Sequence, residues 1–332
     1  MTEPEDVGGR ATTVDVARAA GVSRATVSHI LNGRVAKFPE ETRLRVHAAA
    51  RELGYTPSIA GRALVNGRTD TVIVVLPNIT IGFRMQEALD YVADHVKQLG
   101  ASVLIRFAGR DSKSTLEAIL YLRPLAVLDF GGLTGEDREA MERADVLVVP
   151  STQTAQHGKG PLLDQRIGEV QVSALLASGP RQIVYVGLDD ERDRAQIDLN
   201  RQAGVTLACQ KRGLPAPSGV TIQLSVDEAA QTLRPLFGTL PVGVACYNDD
   251  VATAVLAACR KMGLRVPEDV SIVGVDHTPL GQLLDPPLTT VAVDVAREVE
   301  QTIGEMTSRV TDVPWIPQSV EGAATLVPGG TT

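Results

Sequence analysis

"DVARAAGVSRATVSHILNG", residues 15–33, decides how the first part of this chain folds. Two short Ala-rich segments flank a single Gly-Val-Ser, a spacing that predicts two helices joined by a tight turn. The first runs from Val14 to Ala20 with Thr13 as N-cap. Gly21 supplies the turn, Val22 is a buried pin, and Ser23 caps a second helix from Arg24 to Asn32. Val16, Ala17, Ala20, Val22, Val27, Ile30 and Leu31 are the apolar set, small where two helices must approach closely. A third helix follows Pro39, taken as its first residue. Its Val46, Ala49, Ala50 and Leu53 share one stripe at helical spacing.

The outward face of the second helix carries Arg24, Ala25, Thr26, Ser28, His29 and Asn32. An arginine can pair bidentately with guanine, and an alanine can meet a thymine methyl. The hydroxyls and amide of Ser23, Thr26, Ser28 and Asn32 suit phosphates, which fix register without reading sequence. An ordinary small bundle with a polar face would share the core pattern. The turn spacing, the small-residue packing and the donor face together favour a helix–turn–helix.

Charge is partitioned in the same sense. The 332 residues carry a formal charge of −8, yet residues 10–67 hold nine bases (Arg10, Arg18, Arg24, Arg34, Lys37, Arg43, Arg45, Arg51, Arg62) against four acids (Asp15, Glu40, Glu41, Glu52). A basic head on an acidic body can hold a polyanion with one end while the body stays soluble. At 44% hydrophobic residues the length supports two or three cores. Residues 1–9 and 328–332 lack any apolar period and read as tails. No apolar run reaches the ~18 residues of a membrane span, so no membrane partner is expected. The acidic N-terminus lacks a signal core, which argues against export. Three cysteines without metal-type spacing read as reduced, buried thiols, and the expected compartment is the cytoplasm.

Enzyme chemistry finds little footing. No Gly-rich phosphate loop follows the first apolar strand, and there is no zinc-type histidine spacing and no nucleophile elbow. The five histidines (29, 47, 95, 157, 277) are scattered, and His277 beside Asp276 is the one suggestive pair. No catalytic residue, metal or cofactor is expected.

The stretch "TVDVARAAGVSRATVSHILNG", followed by "ETRLRVHAAARELGYTPSIAGRAL", closely resembles the DNA-binding head of LacI/GalR-type repressors. The resemblance implies that Arg24 and Ala25 are the principal base readers. His29 stands where Arg is common and either reads a base or touches the backbone. Ser23, Thr26, Ser28, Asn32 and Thr42 match phosphate-contacting positions, with Tyr55 close behind. "AKFPEET" departs from the usual Ser-type cap before the third helix and adds a residue. "PSIAGRALVNG", residues 57–67, resembles the family's hinge, helical on operator DNA and marginal alone. There Leu64 would wedge into the central minor groove with Arg62 beside it, while Ser58 replaces a common Asn.

After Thr69, "TVIVVLP", "SVLIRF", "LAVLDF", "VLVVP", "QIVYVG", "VGVACY" and "SIVGVD" read as buried strands. They alternate with helical segments near 84–99, 112–122, 165–178, 193–213 and 250–262, which means parallel sheet with crossover helices and a cleft near the strand ends. Residues 247–291, from "YNDD" to "PPLTTV", resemble the sensor half of the same family. The implied fold class is a small all-α helix–turn–helix head plus an α/β two-lobed, periplasmic-binding-protein-like sensor of doubly wound parallel sheets. The implied organisation is a tail (1–9), the head (10–56), the hinge (57–69) and the body (70–332). One lobe takes about 70–162 plus 290–317, and the other about 163–289 plus 318–332.

Carried over singly, Arg201, Asn248 and Asp276 match effector-contacting positions. Asp249 either contacts the effector or caps a helix, and Asp129, ending a strand, is a cleft candidate from the other lobe. Such groups bind vicinal hydroxyls, so a sugar-like ligand fits. Departures are "PNITIGFRM" in place of an Asn-Pro-aromatic cluster, "VVPS" without a terminal acid, and an aromatic content of only 3%, with the sole tryptophan, Trp315, near the last crossovers. Phe83, Phe107, Phe130 and Tyr247 are either cleft aromatics or core. The expected function is a sequence-specific transcriptional repressor. Its expected partners are double-stranded operator DNA, a small-molecule effector and a second copy of the chain, since no heptad helix follows the last strand. The alternatives are an effector-independent architectural DNA binder with a silent pocket and an extracytoplasmic solute-binding protein.

Overall fold

A computed structural model describes residues 11–31, 37–55, 67–77, 83–108, 112–151, 159–179, 181–189, 196–316 and 322–332. The expected tail at 1–9, Asn32, Arg62 and Leu64 lie outside the described residues. The chain divides near Asp70 into a head unit and a body unit.

In the head, α1 spans Thr13–Ala20, α2 Arg24–Leu31 and α3 Glu40–Glu52. The N-cap of α1 is Thr12, one residue before the expected Thr13. Thr12 and Asp15 close a reciprocal capping box, whereas the Thr13 hydroxyl bonds the Tyr55 hydroxyl at 2.7 Å. Gly21 takes the left-handed conformation at φ 65°, which makes the turn. Pro39 is the N-cap of α3 and not its first helical residue, because Glu40 opens the helix. Val16, Ala17, Ala20, Val27, Ile30, Val46, Ala49 and Ala50 form the core; Val22 is half-buried and Leu53 is exposed at the end of α3.

In the body, β1 (Thr71–Leu76), α4 (Phe83–Gln98), β2 (Ser102–Phe107), α5 (Ser112–Leu122), β3 (Ala126–Asp129), α6 (Gly135–Arg143) and β4 (Val148–Val149) build a parallel sheet of order β2-β1-β3-β4. The second lobe follows with α7 (Lys159–Leu176), β5 (Gln182–Leu188), α8 (Gln196–Lys211), β6 (Ser218–Ile222), α9 (Val226–Leu233), β7 (Val242–Cys246), α10 (Asp249–Met262), β8 (Val270–Val275), α11 (Pro279–Gln282) and β9 (Thr289–Val293). Then α12 (Val295–Thr311) and β10 (Ala324–Val327) complete the fold. The second sheet has the order β10-β9-β8-β7-β5-β6, parallel except for the antiparallel β10–β9 edge. Valine-rich strands buried on both faces explain the continuous apolar runs of β1, β5, β7 and β8, whereas β2, expected to be buried, is an edge strand with exposed side chains.

Two further expectations change. The passage back to the first lobe, expected at about residue 290, comes at Asp294, which caps α12, because β9 pairs with β8. Val299, Ile303 and Met306 of α12 then join the first lobe's core. The final residues are docked and do not form a loose tail. The Thr331 hydroxyl donates to the Ile272 carbonyl at 2.7 Å and accepts the Thr289 N–H at 2.9 Å, with Thr331 fully buried. Gly329 and Gly330 lie so close to Leu288 and Pro286 that a Cβ would collide.

A valine at position 331 keeps the shape but leaves a buried N–H and a buried carbonyl without that hydroxyl. Thr331→Val should lower stability by about 1–3 kcal/mol, read as a lower denaturant midpoint. An unchanged midpoint would mean that the tail is undocked in solution.

Candidate functional site

The head presents its polar face from the start of α2. Ser23 accepts the Thr26 N–H at 3.0 Å and bonds the Thr26 hydroxyl at 2.9 Å, which fixes the helix entry. Arg24 and Ala25 are exposed just beyond that cap, and His29 is exposed one turn on. The His29 ring stacks on Phe38, with centroids 6.2 Å apart, a contact from the "AKFPEET" stretch that the sequence did not reveal. Ser28 and Thr42 are half-buried. Tyr55 uses its hydroxyl on Thr13 and packs against the head core, so it ties α1 to the end of α3.

In the body, Arg201 of α8 is the centre of a polar cluster at the ends of β7 and β8. Its guanidinium stands 3.7 Å from an Asp164 oxygen on α7 and 3.5 Å from Asp276 Oδ1, with only 12% of the side chain exposed. It also donates to the Tyr247 carbonyl and lies 4.8 Å from that ring's centroid. Burial opposes its charge, but Asp276, Tyr247 and Asp164 more than offset this and hold its pKa above the ordinary arginine value. Burial pushes the Tyr247 hydroxyl up, against the pull of Arg201. Beneath the cluster, the Gln171 amide of α7 donates to the Cys246 carbonyl at 2.9 Å and to the Val273 carbonyl at 3.2 Å, tying α7 to both strands.

Asp276 sits at φ 105° and His277 at φ 48°, two consecutive non-glycine residues in a sparsely populated region. Such strain persists only where its surroundings hold it, and it concentrates at binding sites. Arg201 Nε and Asp276 Oδ1 are buried ion-pair atoms that lack hydrogen-bond geometry to any partner among the described residues. A ligand hydroxyl can accept from the first and donate to the second.

The other expected contacts divide. Asn248 is the N-cap of α10, accepting the Val251 N–H at 2.9 Å, and stands next to Tyr247. Asp249 is therefore not the cap. It is buried and accepts from the Thr290 hydroxyl at 2.6 Å and the Thr278 N–H at 2.7 Å, pinning the segments after β8. Burial raises its pKa, opposed by those hydrogen bonds. Asp129 turns into its own loop: Oδ1 accepts three N–H groups, from Gly131, Gly132 and Leu133, at 2.7–3.1 Å, and Oδ2 pairs with Arg138. Of the candidate aromatics, Tyr247 lies in the cluster, Phe130 packs on the first lobe's core, Phe107 is 47% exposed on β2, and the side chain of Phe83 is outside the description. All three cysteines are buried, and burial pushes the Cys259 thiol up to about 12. Among the described residues, no group of His, Cys, Asp and Glu could hold a metal ion, and no helix is long and apolar enough to cross a membrane.

Comparison with known proteins places both parts of the chain in known families. Residues 12–58 match the family of bacterial regulatory proteins of lacI type, and residues 172–332 match a periplasmic binding protein-like domain. The chain is 30% identical over 298 residues to the HTH-type transcriptional regulator DegA of Bacillus subtilis, covering 85% of this chain and 86% of that one. It is 29% identical over 306 residues to the ribose operon repressor of the same organism, covering 88% and 90%. A lac repressor dimer bound to operator and the anti-inducer ONPF shares the fold, with a TM-score of 0.74 at 22% identity over 97% of this chain and 99% of that chain. The chain belongs to the LacI family of DNA-binding transcriptional regulators.

Proposed function

We propose that the protein is a repressor that binds a palindromic operator as a homodimer and answers to a small hydroxylated effector in the sensor cleft. The observation that carries the reading is the exposed N-terminal face of α2, where Arg24 and Ala25 stand clear of a packed three-helix core. Arg24 and Ala25 address base edges, with His29 beside them. Ser23, Thr26, Ser28, Asn32 and Thr42 address phosphates, and Tyr55 braces the head behind them. Leu64 wedges into the central minor groove with Arg62 at its wall.

Support for a second copy comes from two apolar surfaces of the body. Leu104, Ile105 and Phe107 of β2 are 41–47% exposed, and Leu280 and Leu283 at α11 are 74% and 79% exposed. In the cleft, Arg201 and Asp276 take ligand hydroxyls, while Asn248 and Asp129 shape the loops around them. The effector shifts the relative orientation of the lobes, and reciprocity requires that an effector that weakens operator binding is itself weakened by operator.

Selection of bound duplexes from a random library should enrich an inverted repeat, and no enrichment by the protein, with or without candidate effectors, would overturn the reading. On that operator, Arg24→Ala should relax one position per half-site at a cost of about 1–3 kcal/mol, and an unaltered binding logo would refute its role. Leu64→Ala should weaken operator binding and reduce the DNA bend while sparing nonspecific binding, as read by gel mobility of permuted sites. Arg201→Lys keeps the charge but loses the planar fork. It should abolish release of operator by whichever carbohydrate releases the wild type, with operator affinity unchanged.

A further inference from the structure

Arg84, in the first turn of α4, reaches from the first lobe to the second. Its Nη1 donates to the Val293 carbonyl at 2.6 Å, at the last residue of β9, and its Nε lies 3.3 Å from Asp276 Oδ1. Both side chains are largely buried, at 14% and 15% exposure. The same Asp276 oxygen is 3.5 Å from Arg201. One carboxylate oxygen therefore serves a guanidinium from each lobe. The Arg84–Asp276 pair joins the lobes. Arg84 lies in "PNITIGFRM", the stretch that departs from the family's aromatic cluster.

We infer that Arg84 is the positioning residue that couples occupancy of Asp276 to the orientation of the two lobes. The coupling half of this inference rests on reading the cleft as the effector site. A ligand hydroxyl that donates to Asp276 takes up the oxygen on which Arg84 leans. Arg201 keeps Asp164 when that happens, so the second lobe's cluster survives. The Arg84 bridge is the partner that gives way, and a loosened bridge favours lobe orientations that the ligand-free protein disfavours. Val293 lies one residue before the passage at Asp294, so the bridge acts next to a segment about which the lobes must turn.

The test uses the full-length protein without ligand. Spin labels on Glu139→Cys in the first lobe and Gln231→Cys in the second report the distance between lobes, and the native cysteines are too buried to react. Arg84→Met should shift or broaden the distance distribution, Asp276→Asn should do the same, and Arg84→Lys should restore most of the wild-type distribution. Operator affinity of Arg84→Met should change by about fivefold or more. An unchanged distribution in folded Arg84→Met overturns the inference, as does a shift that Arg84→Lys fails to reverse at all. A shifted distribution with unmoved operator affinity upholds the bridge and counts against the repressor reading instead, so the two failures are distinguishable.

Discussion

The close crossing of α7 and α8 is the constraint from which the Arg201 cluster follows. Gly168 and Gly204 face each other so tightly that a Cβ on either would overlap the other helix's backbone. The Gly204 position is set against the Asp164 carbonyl, so the crossing brings Asp164 beside Arg201, one turn earlier on α8. Two larger residues would force the helices apart and leave a buried guanidinium without one of its carboxylates. A buried charge deprived of its partner is strongly destabilising, whereas the intact pair contributes modestly. The glycines therefore determine where a positive charge can be buried in this body, more than how much the helices stabilise it.

From Arg201 the constraint passes along the strand ends. Gly274 in β8 leaves room for Asp249, whose carboxylate would overlap a Cβ at that position. Asp249 in turn holds Thr278 and Thr290. Those bonds pin the chain on the far side of Asp276 and hold its backbone in an unfavourable conformation. The "GVD" that ends β8 thus combines a residue that must be small with one that must be strained. The Gln171 amide, bonded to the Cys246 and Val273 carbonyls, stiffens the same end of the sheet. A cluster built on stiff strand ends presents its polar groups at fixed positions.

How much was legible depended on the range of the interactions. The head was readable because its signals are local: Gly21 for the turn, Ser23 for the cap and a period of small apolar residues. Even there the choice between Thr12 and Thr13 turned on which threonine Asp15 could close upon, a matter of side-chain reach that spacing alone does not resolve. Arg201 and Asp276 were legible through resemblance, and the structure brings them together. Asp129 looked like a cleft residue because it ends a strand, but three backbone N–H groups and Arg138 draw its carboxylate into its own loop. The last five residues looked loose because they carry no apolar period, and they dock through hydroxyl and backbone bonds that hydropathy does not register. Arg84 was unreadable for a third reason: its carbonyl partner is 209 residues away and on the other lobe.

The charge pattern of the Arg201 cluster limits what can change in it. Arg201 is held above the ordinary arginine pKa and Tyr247 above the ordinary tyrosine value, so one stays cationic and the other protonated at neutral pH. A proton is therefore a poor signal for these two groups. What can change is which partner holds Asp276 Oδ1, and two guanidiniums already share it. The contacts are longer than the 2.7–2.9 Å of a good charge-assisted hydrogen bond, so a better-aligned donor gains by entering. The two guanidiniums stand on different lobes, so the sharing runs between lobes and not merely within one. That oxygen is thus an atom at which charges of the two lobes meet.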